Sequence, residues 1–194
     1  RDGDRAVRDA AIAALLAIGE PAVTTLGACL SDPVLTVQEL ASSVLATIAD
    51  ARVLAPLMAA LASPDWIVRM HAAKALGRIK DPGAVVPLVP LLQDKVKAVR
   101  EETSTALAAI GEAALSSLLA ALTHTEWLVR LHAVEALGKT RSPEAVGPLL
   151  SVLFNDRDRA VREDAVRALG QIGDARALES VSYTHLTLPT TSRV

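Results

Sequence analysis

The sequence is poor in aromatic residues, cysteine and net charge. Aromatic residues make up 2% of it, so large rings cannot fill a core. Cys29 is the single cysteine, which excludes an intrachain disulfide and a four-cysteine zinc site. The longest apolar stretches, 10–18 and 53–62, are shorter than the roughly 20 residues that span a bilayer. A formal net charge of −2 gives no general reason to bind nucleic acid or an anionic membrane.

Alanine and leucine dominate instead, with 36 and 29 of the 194 residues. Their distribution follows an internal repeat. In six aligned segments, the polar residue that follows a valine recurs at intervals of 30 to 32 residues, at Arg8, Gln38, Arg69, Arg100, Arg130 and Arg162. Self-similarity at such a period is typical of stacked repeat architectures, so we expect six units of about 31 residues.

Each unit has the pattern of a helical hairpin. In the first segment, helix A, apolar residues recur on one helical face, as at Val68, Ala72 and Leu76, and the middle position is always small. We expect Gly19, Gly77, Gly111, Gly138 and Gly170 to end these helices. A second apolar period predicts helix B, with Pro21, Pro82 and Pro143 in its first turn.

A hairpin of this kind cannot bury its apolar faces alone, so the hairpins must stack into an all-α solenoid. We expect one array over residues 1–181, with its units at 1–33, 34–64, 65–95, 96–125, 126–157 and an incomplete 158–181. The sequence has no initiator methionine, and its sixth helix B stops midway. We therefore expect a fragment with two open ends that can associate end to end.

The pattern D/E-x-x-V-R-x-x-A-x-x-A-L-G-x-I-G, followed by an Ala/Val/Pro-rich second helix, resembles the HEAT-like repeats of the phycobilisome-lyase type. Segments 126–140 and 158–173 are the best matches, and the unit with Gln38 departs most. The resemblance implies an armadillo-like, right-handed superhelix whose B helices line the concave side. It indicates the fold more strongly than the function, because such folds serve many functions.

The last residues break the repeat. The next position of the apolar period would fall at His185, inside VSYTHLTLPTTSRV. The string VSYTHLTLPT resembles a translated transposase-type sequencing adapter. We therefore expect residues 182–194 to be a non-native tail, read through in a metagenomic library, and assign no function to Tyr183 or His185.

The repeated polar residues form a column that stacking would turn into a ladder. Acids precede several of them by four residues, as Asp65, Glu126 and Asp158 do. Such an acid can cap a helix and pair with an arginine one turn on. We expect a structural role for this ladder, Arg8, Arg69, Arg100, Arg130 and Arg162.

A second column alternates histidine and carboxylate: Ala10, Leu40, His71, Glu102, His132, Asp164. Deoxyhypusine hydroxylase, a related HEAT-like enzyme, binds two irons through His-Glu pairs at the two positions after the arginine. Here those positions read Met70-His71 and Leu131-His132, so no such pair is present. Histidines bonded to Glu102 and Asp164 are the simpler expectation, and we expect no metal, no catalytic residue and no cofactor.

A third column combines tryptophan with basic residues: Arg5, Leu35, Trp66, Lys97, Trp127, Arg159. Such a mixture can stack on nucleic-acid bases. The column lies among acids, however, so tryptophans packed at the repeat junctions are the favoured interpretation.

The exposed face of the B helices is the candidate binding site. Its side chains are small and uncharged, so they suit recognition of a peptide or a helix. We predict a non-catalytic scaffold for a protein or peptide partner of unknown identity, in the cytoplasm. The alternatives are a protein related to the hydroxylase or to bilin lyases, or a nucleic-acid-binding module. The candidate contact residues are Thr24, Thr25, Ala28, Ala55, Ala59, Val86, Pro90, Ser116, Ala120, Gly147 and Ser151.

Overall fold

The computed structural model describes residues 10, 13–15, 17–30, 32–48 and 51–174. Within these ranges every regular element is a helix, which confirms the all-α prediction. The chain forms two compact units, 1–117 and 118–194, and each is described by itself. The expected tail at 182–194 and the ladder residue Arg8 lie outside the described ranges.

The helices alternate between two types, as the repeat predicts. Those with even numbers are the A helices, 14 residues each, and those with odd numbers are the B helices. In chain order they are α1 (Glu20–Cys29), α2 (Leu35–Ile48), α3 (Ala51–Ala60), α4 (Trp66–Ile79), α5 (Val85–Leu88), α6 (Lys97–Ile110), α7 (Glu112–Ala121), α8 (Trp127–Thr140), α9 (Val146–Asn155) and α10 (Arg159–Ile172).

The third B helix is shorter than its pattern predicts. One α-helical turn, α5, lies between 3₁₀ turns at Pro82–Ala84 and Val89–Gln93. Pro90 cannot donate a backbone hydrogen bond and crowds the preceding turn, so the continuous α-helix ends there. Pro21 lies in the first turn of α1, and Pro82 and Pro143 begin the 3₁₀ turns that lead into α5 and α9.

The core lies between successive helices within each unit. In the first unit α4 packs between α2 and α6, and in the second α10 packs on α8 and α9. The column of small residues is buried throughout, which confirms its predicted role in close helix approach: Ala41, Ala72, Thr103, Ala133 and Ala165 are at most 2% exposed.

Three glycines expected to end A helices lie inside them instead: Gly77, Gly138 and Gly170. The C-cap residues come three positions after these glycines, at Lys80, Arg141 and Gly173, all with a positive φ. A Cβ on Gly77 would lie 2.6 Å from the Cα of Ala106 on the neighbouring helix. Where a neighbouring A helix lies this close, the glycine is needed because a larger residue would not fit. Gly111, with φ 78°, does end α6 as predicted.

Two arginines of the ladder bind a carboxylate at the far end of their own repeat. Nε and Nη2 of Arg69 lie 2.7 and 2.9 Å from the two carboxylate oxygens of Asp94. Arg130 holds Asp156 in the same bidentate way, at 2.7 and 2.9 Å. The side chains of this second pair are only 6% and 5% exposed, so both charges depend on each other for compensation.

The predicted pairing of these arginines with an acid one turn earlier is wrong. The predicted capping is confirmed for Asp65 and Asp158, which accept bonds from the backbone amides two residues on. Glu126 makes no side-chain cap bond. The carboxylate of Asp65 is turned toward the first amides of α4, which leaves Arg69 to Asp94 at the other end of the hairpin.

The whole described ladder shares one further bond, which supports its predicted structural role. Each member donates to the backbone carbonyl six residues earlier, in the turn from a B helix to the next A helix. The donor–acceptor pairs are Gln38 to Asp32, Arg69 to Ser63, Arg100 to Asp94, Arg130 to His124 and Arg162 to Asp156, at 2.6 to 2.9 Å.

The glycine column gives a matched pair of substitutions. Gly138→Ala should lower the free energy of unfolding by about 1–3 kcal/mol, because the new Cβ would lie 2.8 Å from the Cα of Ala168. Gly170 occupies the same position in the next repeat and has no described atom within 4 Å, so Gly170→Ala should stabilise by about 0.5–1 kcal/mol. Urea unfolding measures both, and equal effects would contradict the packing role.

The buried ion pair gives a second test. Asp156→Asn should cost about 3 kcal/mol, because it leaves the buried Arg130 charge uncompensated. Glu163→Gln, in the exposed pair with Arg159, is the control and should leave unfolding nearly unchanged. A double-mutant cycle on Arg130 and Asp156 measures the coupling, and additive effects would show that the pair does not act as a unit.

Candidate functional site

The eleven residues predicted to contact a partner are all exposed. Val86, for example, is 77% exposed. None of the eleven carries a charge. We call this set the B-face: Thr24, Thr25, Ala28, Ala55, Ala59, Val86, Pro90, Ser116, Ala120, Gly147 and Ser151.

The helical period explains why these residues stay exposed. In α9, Val146, Leu149 and Val152 point into the core and are at most 8% exposed. Gly147 and Ser151 lie four residues apart on the opposite side and are exposed. The same apolar ridge that anchors each B helix therefore fixes which of its residues form the B-face.

The second unit has a pocket beside this face, of about 270 Å³. It lies between the end of α7, with Leu119, and α9, with Pro148 and Ser151. The loop residue Asp156 also lines it. The sequence contains no signal for this pocket, because its walls come from two helices about 30 residues apart.

The carboxylate in the pocket is already compensated. Besides Arg130, the backbone amide of Asp158 donates to Asp156, at 2.8 Å. Burial favours the neutral acid, but the hydrogen bonds from Arg130 and the Asp158 amide outweigh it and hold the pKa of Asp156 below its ordinary value. The pocket therefore presents a balanced ion pair, not a free negative charge.

The histidine column is buried in the A helices. His71 and His132 are 2% and 4% exposed. Nδ1 of His132 lies 2.9 Å from a carboxylate oxygen of Glu135 on the same helix, a partner that the column does not predict, and a bond between His132 and Asp164 stays a prediction. A residue three positions on shares the helix face, which the column alignment does not consider. A bond between His71 and Glu102 stays a prediction.

Asp164 belongs to the same charged cluster. It pairs with Arg167 at 2.9 Å, and its side chain is 13% exposed. Burial raises the pKa of Asp164, and the charge of Glu135 adds to the effect. Across the described residues no group of three or more histidine, cysteine or acidic side chains is arranged to hold a metal ion.

The tryptophan column is partly open to solvent. Trp66 and Trp127 are 40% and 41% exposed, so the protein covers the larger part of each indole. The two described basic members are paired with acids one turn on: Lys97 with Glu101 at 3.2 Å, and Arg159 with Glu163 at 2.7 Å. Their positive charge is thus locally compensated, which disfavours phosphate binding.

Glu135 should make the free energy of unfolding depend on pH. Burial alone would raise its pKa, but hydrogen bonds from His132 and Lys139 lower the pKa from 4.5 to about 2. Since the folded-state pKa lies below the unfolded value, this stabilisation is present above pH 4.5 and is lost as the pH falls toward 2. Discounted for partial exposure, its size is about 1 kcal/mol.

Glu135→Gln should therefore flatten the dependence of the unfolding free energy on pH between 4.5 and 2. Lys139→Met, which removes one of the two donors, should give an intermediate slope. Urea unfolding at several pH values measures this, and an unchanged slope in Glu135→Gln would refute the assignment.

Solved structures of other repeat proteins have folds similar to this one. A structure of the CpcE–CpcF complex of phycocyanin lyase from Nostoc sp. PCC7120 matches with a TM-score of 0.57 and 23% identity, over 76% of this chain and 98% of that one. The archaeal HEAT-like repeats protein from Thermococcus onnurineus NA1 matches with a TM-score of 0.51 and 15% identity, over 94% of this chain and 86% of that one. Similarity at these identities shows the fold alone.

No curated protein matches the sequence. None of the described helices is both long and apolar enough to cross a membrane. A family model for HEAT repeats matches three overlapping segments, residues 25–108, 54–125 and 115–182. Since these segments span well over half of the sequence and coincide with the stacked hairpins, the chain belongs to the HEAT repeat family.

Proposed function

We propose that this chain is a non-catalytic scaffold that binds a protein or peptide partner on the B-face. The observation that supports it is the exposure of all eleven B-face residues together with their lack of charge. Small side chains lose little conformational entropy when a partner covers them, so less of the contact energy is lost on binding.

The way in which the B helices are held supports this function. In α9 the ridge residues Val146 and Leu149 are buried, and Arg130 ties the loop after this helix through Asp156. A surface fixed on both sides in this way does not need to be ordered when a partner arrives. Preorganisation of this kind raises affinity without adding contacts.

The charge distribution separates this function from nucleic-acid binding. Lys97 and Arg159, the described basic residues of the tryptophan column, each pair with a glutamate. The B-face itself offers no cation to a phosphate. Its polar groups are hydroxyls and backbone, which suit the amides and uncharged side chains of a peptide.

The test is a selection from a linear peptide library displayed on phage, with the intact chain as bait. We expect enriched peptides whose affinity falls at least tenfold in Ala120→Arg and in Ser151→Arg, because each places a large cation on the part of the B-face that belongs to the second unit. Isothermal titration calorimetry with the synthesised peptides measures the loss.

Thr105→Arg is the matched control, since Thr105 is an equally exposed small side chain on an A helix. It should change the affinity less than twofold. Absence of any enriched peptide, or an equal loss in the control variant, would overturn the proposal.

A further inference from the structure

We infer that the pocket between α7 and α9, the Ser151 pocket, is an anchor site that takes one uncharged aliphatic or aromatic side chain of the partner. This inference rests on the proposed function and names the chemistry of the residue that the scaffold selects. It concerns only the second unit.

The size of the pocket limits its occupant. At about 270 Å³ it falls just below the roughly 300–1,000 Å³ typical of sites for small-molecule ligands. It is large enough for a single leucine, phenylalanine or tyrosine side chain. Interfaces commonly gain most of their affinity from a few side chains that fill well-packed pockets.

The walls favour an apolar occupant. Four of the eight lining residues are apolar, Leu119, Leu122, Pro148 and Val152, and the others, Thr123, Ser151, Asn155 and Asp156, are polar. Ser151 stands at the pocket and also belongs to the B-face, so a peptide lying along that face passes the pocket. A side chain that enters it exchanges water for aliphatic contacts, and each buried methylene contributes about 0.8 kcal/mol.

Because the charge of Asp156 is already compensated, the pocket does not favour a basic occupant. A carboxylate in a binding pocket ordinarily favours lysine or arginine. Here Oδ2 accepts from Arg130, and Oδ1 accepts from both Arg130 and the amide of Asp158, at 2.7 to 2.9 Å. A second cation would have to enter beside the Arg130 guanidinium, whose charge repels it. The pocket therefore selects a neutral side chain.

Capped amino acids test this directly. The intact chain, with labelled leucine and valine methyl groups, is titrated with N-acetyl-leucinamide, N-acetyl-phenylalaninamide and N-acetyl-argininamide. We expect the two neutral compounds to shift the methyl resonances of Leu119, Leu122 and Val152 in a saturable way, and argininamide to leave them unchanged. Equal or stronger binding of argininamide, or no saturable shift with either neutral compound, would overturn the inference.

Three variants localise the effect. Ser151→Leu fills the pocket and should weaken the neutral compounds at least tenfold, whereas Ser151→Ala should retain their binding. Ser116→Leu makes the same change at a B-face position outside the pocket, and should leave the pocket resonances unaffected. An equal loss in Ser116→Leu would count against the inference. Circular dichroism confirms that each variant folds.

The result is separable from that of the peptide selection. The selected peptides could depend on the B-face, lack a common apolar residue and keep their affinity in Ser151→Leu. This result would refute the inference about the pocket but not the proposed scaffold function. Saturable binding of N-acetyl-leucinamide without any enriched peptide would refute the scaffold while leaving the pocket assignment intact.

Discussion

The close approach of neighbouring A helices is the constraint on which the rest of the structure depends. Ala72 and Ala133 are fully buried, and Gly77 and Gly138 leave no room for even a methyl group. Backbones this close cannot accommodate aromatic side chains between them, which explains a core made of alanine and leucine. Stability must then come from many small dispersion contacts over a long contact line, because no single side chain buries a large area.

This packing also determines what the other side of each hairpin can present. The B helices supply one apolar ridge to the core, so only the opposite stripe remains free to vary. The ladder bonds fix the turns that enter each A helix, and in two repeats the arginine also reaches the acid after the B helix. The hydrogen bonds of the ladder and the apolar core thus hold the same helices from two directions. Both keep the exposed stripe rigid.

The sequence predicts the repeat, both helix types and the exposed stripe, because all three depend on periodicities of a few residues. It does not predict features that depend on neighbouring repeats. A glycine that permits packing and one that ends a helix look alike in the sequence, so the role assigned to Gly138 was wrong. The partner of Arg130 lies 26 residues away, beyond the reach of any local helix rule. The pocket at Ser151 needs two B helices in register, and Pro90 shortens its helix for reasons that the apolar pattern does not contain.

The bidentate arginine clamps belong to the third and fifth repeats, and this alternation has a structural consequence. Asp94 and Asp156 end those repeats, whereas Ser63 and His124 hold the same position in the second and fourth. Trp66, His71 and Gly77 likewise return 61 residues later, as Trp127, His132 and Gly138. Between the third and fifth repeats these features therefore recur with a period of two hairpins. A change in length by one such pair preserves the order of clamped and unclamped turns, while a change by a single hairpin places two turns of the same kind side by side.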